Sequence, residues 1–323
     1  MFPVAGSDGG FVRIGQAVRS WISLGVLALC WGSTFLWIDL ALDEGIPPAY
    51  LTLGRGVVAS VALLAFGWPR WRSWSGRGPR LIDLAVAALL CNAMPFTFFS
   101  LGQRSVPSGV AGMLNATTPL WTVLIGYALR GGQGLHRRQV VGVVLGFAGV
   151  CLVFAPWRAG IPFTIGVPLI LVAAAGYAAG FVLMARRLVP TAATPAELAA
   201  LQMLVATAML AVPVPFTPPG PVTPLGATAV VMLGLVCTAL TFTIAYRMLA
   251  AEGATRTAVV GYLIPVVAVV LGAVVLDETV GLTAIAGMAV ILVGVGLTRS
   301  TPSDSHRAEP ARSIVGGRSA RDG

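Results

Sequence analysis

Arg55 is the residue whose chemistry most needs an explanation, because it lies inside a long apolar segment. It follows Pro48, where that segment begins, by about seven residues, or about 10 Å along a helix. A guanidinium keeps its proton in such surroundings, so it needs a carboxylate, backbone carbonyl groups or an anionic ligand. Three interpretations remain open: a static ion pair between Asp39 and Arg55, contact with the carboxylate or phosphate of a substrate, or a side chain that extends to the aqueous boundary.

Other polar and aromatic residues lie near the middle of further apolar segments. Asn92 and Phe96 share one helical face, and Asn115 and Thr118 share another beside Pro119. Such residues either hydrogen-bond neighbouring helices or line a cavity that binds a solute. The residues that we predict to line a cavity are Trp31, Arg55, Asn92, Phe96, Asn115, Thr118, Tyr177, Gln202, Thr238 and Tyr262.

Patterns for catalysis and metal binding are absent from the sequence. There is no HExxH, GxSxG or P-loop motif, and no pair of acidic residues lies near the middle of an apolar segment. The four cysteines have no CxxC spacing, and His136 and His306 are isolated. We therefore expect no enzyme activity, no metal and no cofactor.

The composition predicts that lipid surrounds most of the chain. Of its 323 residues, 57% are hydrophobic and 10% are charged, with a mean hydropathy of +0.87, whereas a soluble domain has about 25% charged residues. A transmembrane helix needs about 20 apolar residues. Ten segments qualify, and they predict an all-α integral membrane protein: 20–42, 48–68, 81–102, 108–129, 139–156, 164–186, 195–213, 225–247, 254–276 and 280–298.

The arginines predict the orientation of these ten helices. If the N-terminus is cytoplasmic, all but three of the 21 basic residues fall on the cytoplasmic side or in the C-terminal tail. The exceptions are Arg55 inside a segment and Arg104 and Arg158 on the outside. This asymmetry is typical of membrane proteins, and it predicts a multi-pass protein of the cell membrane with both termini in the cytoplasm.

The chain contains an internal repeat. Phe96-Thr97, Pro119 and Gly126 recur 146 positions later as Phe242-Thr243, Pro265 and Gly272, and Gly142 and Gly149 recur 145 positions later as Gly287 and Gly294. Each half has five segments, an odd number, so the halves must cross the membrane in opposite directions, as in many transporters. Pro119 and Pro265 predict matching kinks. The predicted parts are a cytoplasmic segment 1–19, repeats 20–157 and 163–299, and a disordered tail 300–323.

These features together resemble the EamA branch of the drug/metabolite transporter superfamily. The residues that carry the resemblance are Trp31-Gly32-Ser33-Thr34-Phe35, Arg55, Asn115 to Pro119, Gly261 to Pro265, Asp277-Glu278-Thr279 and the two Gly-x6-Gly pairs. The sequence departs from the pattern at Gln133, where the family has a glutamate. The resemblance covers residues 20–299 and implies a ten-helix bundle with a central cavity and a role in transport, often the export of amino acids or other small metabolites.

We therefore predict a secondary transporter that exports small organic metabolites, such as amino acids or amphiphilic compounds, by alternating access around the cavity. The alternatives are a channel or a membrane scaffold that transports nothing. The expected partners are a small-molecule substrate and the lipid bilayer. We expect no nucleic acid, and a homodimer is left open.

Overall fold

The computed structural model describes residues 8–71, 78–129, 131, 136–155, 164–275 and 281–299, and within these ranges the elements are helices without any strand. The first half contains α1 Asp8–Gly32, α2 Thr34–Asp43, α3 Pro48–Trp71, α4 Leu81–Ala88, α5 Met94–Gly102, α6 Ser108–Asn115, α7 Thr118–Ala128 and α8 Arg137–Phe154. The second half contains α9 Gly166–Leu183, α10 Pro195–Ala211, α11 Pro224–Gly234, α12 Thr241–Glu252, α13 Ala254–Ala258, α14 Val260–Val275 and α15 Leu282–Arg299.

The helices confirm an all-α membrane protein. Eight helical stretches in the described residues are long and apolar enough to cross a membrane. Apolar side chains also face outward, as with Val61, Phe66 and Leu282, which are 61%, 84% and 85% exposed. The predicted fourth and ninth segments are divided, into α6 and α7 and into α13 and α14. The eight stretches are Val18–Asp43, Pro48–Phe66, Leu81–Gly102, Arg137–Phe154, Gly166–Leu188, Pro195–Phe216, Pro224–Glu252 and Leu282–Arg299.

The last helices of the two halves, α8 and α15, cross each other at the repeated glycines. A Cβ atom on Gly294 would lie 2.6 Å from the carbonyl oxygen of Gly142, and one on Gly149 would lie 2.7 Å from that of Gly287. Because the earlier residue of α8 meets the later residue of α15, the two helices are antiparallel. This pair of matching helices therefore runs in opposite directions, as an inverted repeat requires.

The third membrane stretch of each half contains a π-helical turn at the same place. Leu89–Ala93 joins α4 to α5, and Leu235–Leu240, which begins 146 positions later, joins α11 to α12. A further turn, Met184–Leu188, follows α9. A π-turn shifts the hydrogen-bonding register of a helix and often occurs at functional sites.

The helix breaks lie ahead of the two repeated prolines. The first is at Ala116–Thr117 and the second at Val259, whereas Pro265 itself lies inside α14. Proline has no N–H for the carbonyl four residues earlier. At Pro119 that carbonyl belongs to Asn115, and the Thr118 hydroxyl donates a hydrogen bond of 2.7 Å to it.

A buried ion pair connects two helices of the second half and is linked to the first half through α1. Arg299 Nη2 lies 2.9 Å from Glu252 Oε2, and the two side chains are 8% and 10% exposed. Ser20 hydrogen-bonds both residues, and the Arg299 guanidinium lies 4.8 Å from the centre of the Trp21 ring. The cluster thus links α1 of the first half with α12 and α15 of the second.

The first membrane stretch, Val18–Asp43, agrees with the predicted segment 20–42. The helix that contains it begins earlier, at Asp8, and is interrupted only by a single turn residue at Ser33. The predicted tail 300–323, the Asp277-Glu278-Thr279 turn and Gln133 lie outside the described residues.

Candidate functional site

A cavity of about 590 Å³, counting the open space at its mouth, lies between the two halves. Both halves contribute to its wall: α1, α2, α3, α5, α6 and α7 of the first half, and α9, α12, α13 and α14 of the second. Its lining residues are Trp31, Thr34, Phe35, Ile38, Arg55, Phe99, Asn115, Thr118, Tyr177, Phe181, Phe242, Ala258, Val260, Gly261 and Ile264.

Six aromatic rings form a continuous row along the wall, which we call the aromatic row. The rings are, in order, Phe35, Phe99, Tyr177, Phe181, Trp31 and Phe242, and neighbouring ring centres are 5.4, 6.1, 6.2, 6.1 and 6.4 Å apart. These distances lie in the range in which aromatic rings attract one another. The row therefore gives the cavity a pre-formed, largely apolar surface.

Arg55 brings a positive charge into this apolar cavity. It is 4% exposed, and its Nε–H donates a hydrogen bond of 2.7 Å to Oγ1 of Thr238. Its Nη2 lies 3.5 Å from the carbonyl oxygen of Cys237, and its Cζ lies 3.7 Å from the centre of the Phe96 ring. All three partners are uncharged.

The predicted ion pair between Asp39 and Arg55 is corrected by these contacts. Within the described ranges, no carboxylate lies at ion-pair distance from Arg55, and the polar neighbours of Asp39 are Asp43 and Ser108. The guanidinium instead contacts the second half. Its partners there are the hydroxyl and the carbonyl of the π-helical turn Leu235–Leu240.

The π-helical turn accounts for the partners of Arg55. The Thr238 hydroxyl donates its proton to the carbonyl of Leu233, five residues earlier, at 2.7 Å. A hydroxyl has one proton and two acceptor positions, so its lone pairs remain available to the Nε–H of Arg55. The shifted register of the turn thus positions Thr238 and Cys237 for the cation.

Comparison with known proteins identifies the family. The model of the EamA-like transporter family matches residues 19–155 and 164–300, so that two copies cover most of the chain. The chain belongs to the EamA-like transporter family. This confirms the resemblance to the drug/metabolite transporter superfamily that the motifs indicated.

Several relatives of this chain are named as transporters. It is 31% identical over 282 residues, 85% of this chain and 91% of the relative, to the "Probable terminal-alkyne amino-acid exporter" of Streptantibioticus cattleyicolor. It is 28% identical over 181 residues to the "Uncharacterized inner membrane transporter YedA" of Escherichia coli K12, and this alignment spans only 57% of YedA and 55% of this chain. A solved crystal structure with 20% identity shares the fold, with a TM-score of 0.68 over 87% of this chain and 96% of the other.

Five of the residues predicted to line a cavity border it, and two more contact one of them, Arg55. Trp31, Arg55, Asn115, Thr118 and Tyr177 belong to the lining. Phe96 and Thr238 do not, but both contact the Arg55 guanidinium.

Asn92 and Gln202 are corrected, because they contact each other outside the cavity. Gln202 Nε2 donates to Asn92 Oδ1 at 2.6 Å, and the Tyr246 hydroxyl donates to Gln202 Oε1. Asn92 and Gln202 are fully buried, and the Nδ2 atom of Asn92 has no partner among the described residues. These residues form a sealed polar cluster between the π-helical turn Leu89–Ala93, α10 and α12.

Tyr262 is also corrected, because it faces α8 instead of the cavity. Its hydroxyl donates a hydrogen bond of 2.9 Å to the carbonyl of Val143, and its ring lies against Gly146, where a Cβ atom would be 2.5 Å from Tyr262 Cδ2. Tyr262 thus fastens α14 to α8.

Sequence reasoning missed the aromatic residues Phe35, Phe181 and Phe242 of the lining. Phe35 follows Trp31 by four residues and Phe181 follows Tyr177 by four, a spacing that places each pair on one helical face. Phe242 is the repeat counterpart of Phe96. The four-residue spacing would have identified Phe35 and Phe181, and the repeat would have identified Phe242.

Within the part of the chain that the structure describes, the cavity wall holds no acidic residue, histidine or cysteine. The relatives are named as transporters and not as enzymes, which points away from catalysis. Within the described residues, no three His, Cys, Asp or Glu side chains are grouped as a metal site would need.

Proposed function

We propose that this protein is a secondary transporter that exports small organic metabolites, such as amino acids or amphiphilic compounds. The observation that carries the proposal is one aromatic-lined cavity whose wall comes from both inverted halves. In transporters with inverted repeats, substrates bind at the interface between the repeats. A concave, mostly apolar site with a few polar groups is also typical of small-molecule binding.

Five residues are proposed to contact the substrate from the polar and aromatic sides of the cavity. Trp31 and Tyr177 offer ring faces for an apolar part, and Asn115, Thr118 and Arg55 offer hydrogen-bonding groups for a polar part. Phe96 and Thr238 are proposed to act indirectly, by positioning Arg55.

The names of two relatives support export as the direction of transport and the inner membrane as its location. The relative from Streptantibioticus cattleyicolor is named as an amino-acid exporter, and the one from Escherichia coli as an inner membrane transporter. The distribution of arginines supports a cytoplasmic location for both termini. We propose export from the cytoplasm on these grounds.

Alternating access is the proposed mechanism. Because the halves are inverted, a rocking motion that opens the cavity to one side closes it to the other. The glycine crossing of α8 and α15 and the contacts of Ser20 with Glu252 and Arg299 join the halves outside the cavity wall, so they can hold the halves together while the wall moves.

A transport assay tests the proposal. Purified protein in liposomes is offered labelled L-phenylalanine, 3-phenylpropanoate, uridine and ethidium, and counterflow of at least one should exceed that of protein-free liposomes. Trp31→Ala should lower this flux, whereas Trp37→Ala, a half-buried tryptophan on the same stretch outside the lining, should not. If no compound moves, the proposed function is rejected.

Cysteine labelling separates a transporter from a channel or a scaffold. Asn115→Cys in a variant without the four native cysteines should react with a water-soluble maleimide from either side of the membrane, and a bound substrate should shift the balance between the sides. Gln202→Cys should not react, because Gln202 is fully buried outside the cavity. Equal reaction from both sides at once indicates a channel, and no reaction indicates a scaffold.

A further inference from the structure

The cavity carries a charge that the protein does not balance. Arg55 is the one charged side chain among the described lining residues, and the other polar groups of the wall are neutral hydroxyls and an amide. Thr238 and Cys237 accept hydrogen bonds from the guanidinium but contribute no negative charge. A buried charge without an ion partner is costly, so an anion that enters the cavity would relieve this cost.

The shape of the guanidinium favours a carboxylate as that anion. Arginine has five N–H donors in a planar fork that matches the two oxygens of a carboxylate. In Arg55 the Nε–H is directed to Thr238 and Nη2 lies at the limit of hydrogen-bonding distance from Cys237. The Nη1 group, for which no partner is found in the described chain, remains for a ligand.

The rest of the cavity favours an apolar body on the same ligand. The aromatic row runs from Phe35 to Phe242 along the wall that Arg55 shares. An aromatic or aliphatic group can pack on these rings while its carboxylate meets the cation.

The lining offers no matching site for an ammonium group. Among the described lining residues there is no carboxylate, so the ammonium of an amine or of a zwitterionic amino acid would meet only ring faces and the Asn115 and Thr118 side chains. It would also be repelled by Arg55. Building on the proposed function, we infer that the cavity selects organic monocarboxylates with an apolar body over the zwitterion and the amine that share that body.

Three probes with the same phenyl group test the inference. At about pH 7, 3-phenylpropanoate is an anion, L-phenylalanine is a zwitterion and 2-phenylethylamine is a cation. Binding is measured by calorimetry with the full-length protein in detergent, and flux in liposomes. We expect 3-phenylpropanoate to bind at least about tenfold more tightly than L-phenylalanine, a difference of about 1.4 kcal/mol, and 2-phenylethylamine to bind most weakly.

Variants at Arg55 assign the preference to its charge. Arg55→Gln should remove the preference for 3-phenylpropanoate, Arg55→Lys should restore part of it, and Arg247→Gln, which changes an exposed arginine, should leave it intact. If Arg55→Gln does not fold, Thr238→Val still tests the idea, because it removes the partner of Nε while the charge stays, and it should change the affinity for the anion far more than that for the amine.

Two results overturn the inference. One is equal or tighter binding of L-phenylalanine or 2-phenylethylamine, and the other is a preference for 3-phenylpropanoate that survives in Arg55→Gln. If none of the three probes binds, the inference also fails. The proposed function fails separately, when no compound of the wider transport panel moves.

Discussion

The Nε–H of Arg55 donates a hydrogen bond of 2.7 Å to Oγ1 of Thr238, and the two residues lie 183 positions apart in different halves of the chain. Thr238 follows Asn92 by 146 positions, and Gln202 lies within one position of the repeat counterpart of Arg55. The pair of Gln202 and Asn92, at 2.6 Å, is therefore the symmetry-related version of the same contact. The contact of Arg55 with Thr238 carries a charge and borders the cavity, whereas the contact of Gln202 with Asn92 is neutral and sealed from it.

Thr238→Val should destabilise the protein by about 1–3 kcal/mol, because it leaves a buried charged donor without its acceptor. Thermal unfolding in detergent measures this. Thr228→Val, an exposed threonine on α11, is the matched control and should change stability little. Equal melting temperatures for the two variants would show that the hydrogen bond contributes nothing.

Tyr246→Phe should lower stability without changing ligand affinity. It removes the donor to Gln202 Oε1 in the sealed cluster, and an unsatisfied buried acceptor costs about 1–3 kcal/mol. Tyr127→Phe, at an exposed tyrosine of α7, is the control. Melting curves and calorimetry with 3-phenylpropanoate together check this, and a weaker affinity in Tyr246→Phe would place the cluster in contact with the substrate site.

The sequence alone predicted the parts of the fold that depend on spacing. The fixed offsets of Gly142, Gly149, Gly287 and Gly294 indicated an inverted repeat, and the antiparallel crossing of α8 and α15 agrees. Trp31 was expected to face inward because it lies within an apolar segment, and it borders the cavity. Such patterns can be read from the sequence because they do not depend on which helices lie next to each other.

The partners of polar side chains could not be predicted in the same way. Helices that are apolar on all sides carry little information about which face points to the centre, so Asn92 and Gln202 were expected in the cavity although they contact each other. The partner of Arg55 depends on the π-helical turn Leu235–Leu240, which has no recognisable sequence signal. Asp39 was therefore a reasonable but wrong partner.

Gly294→Ala should destabilise the helix crossing by about 2 kcal/mol, because the new methyl group would lie 2.5 Å from the amide nitrogen of Gly146. Gly296→Ala is a close control on the same helix, since nothing lies within 4 Å of its Cβ position. It should change stability by less than about 0.5 kcal/mol. Thermal unfolding of both variants measures the difference. If Gly294→Ala is as stable as Gly296→Ala, the two helices are not tightly packed at this crossing.

Glu252→Gln should destabilise the protein by about 3 kcal/mol, because it leaves the buried Arg299 guanidinium without its ion partner. The double variant Glu252→Gln/Arg299→Gln should lose less than the sum of the two single variants, since both end the same interaction. Chemical unfolding of the wild type, the two single variants and the double variant measures these free energies. Strict additivity would show that the two residues do not interact.

The crossing of α8 and α15 has a further consequence for the origin of the chain. Gly142 meets Gly294 and Gly149 meets Gly287, and the repeat carries the first contact onto the second, so the seam is isologous like that of a two-fold dimer. A five-helix chain could have made the same seam with a second copy of itself. Such a dimer would carry every side chain of its seam and cavity twice, whereas two halves joined in one chain can diverge, as they have at Arg55, whose repeat counterpart is not an arginine.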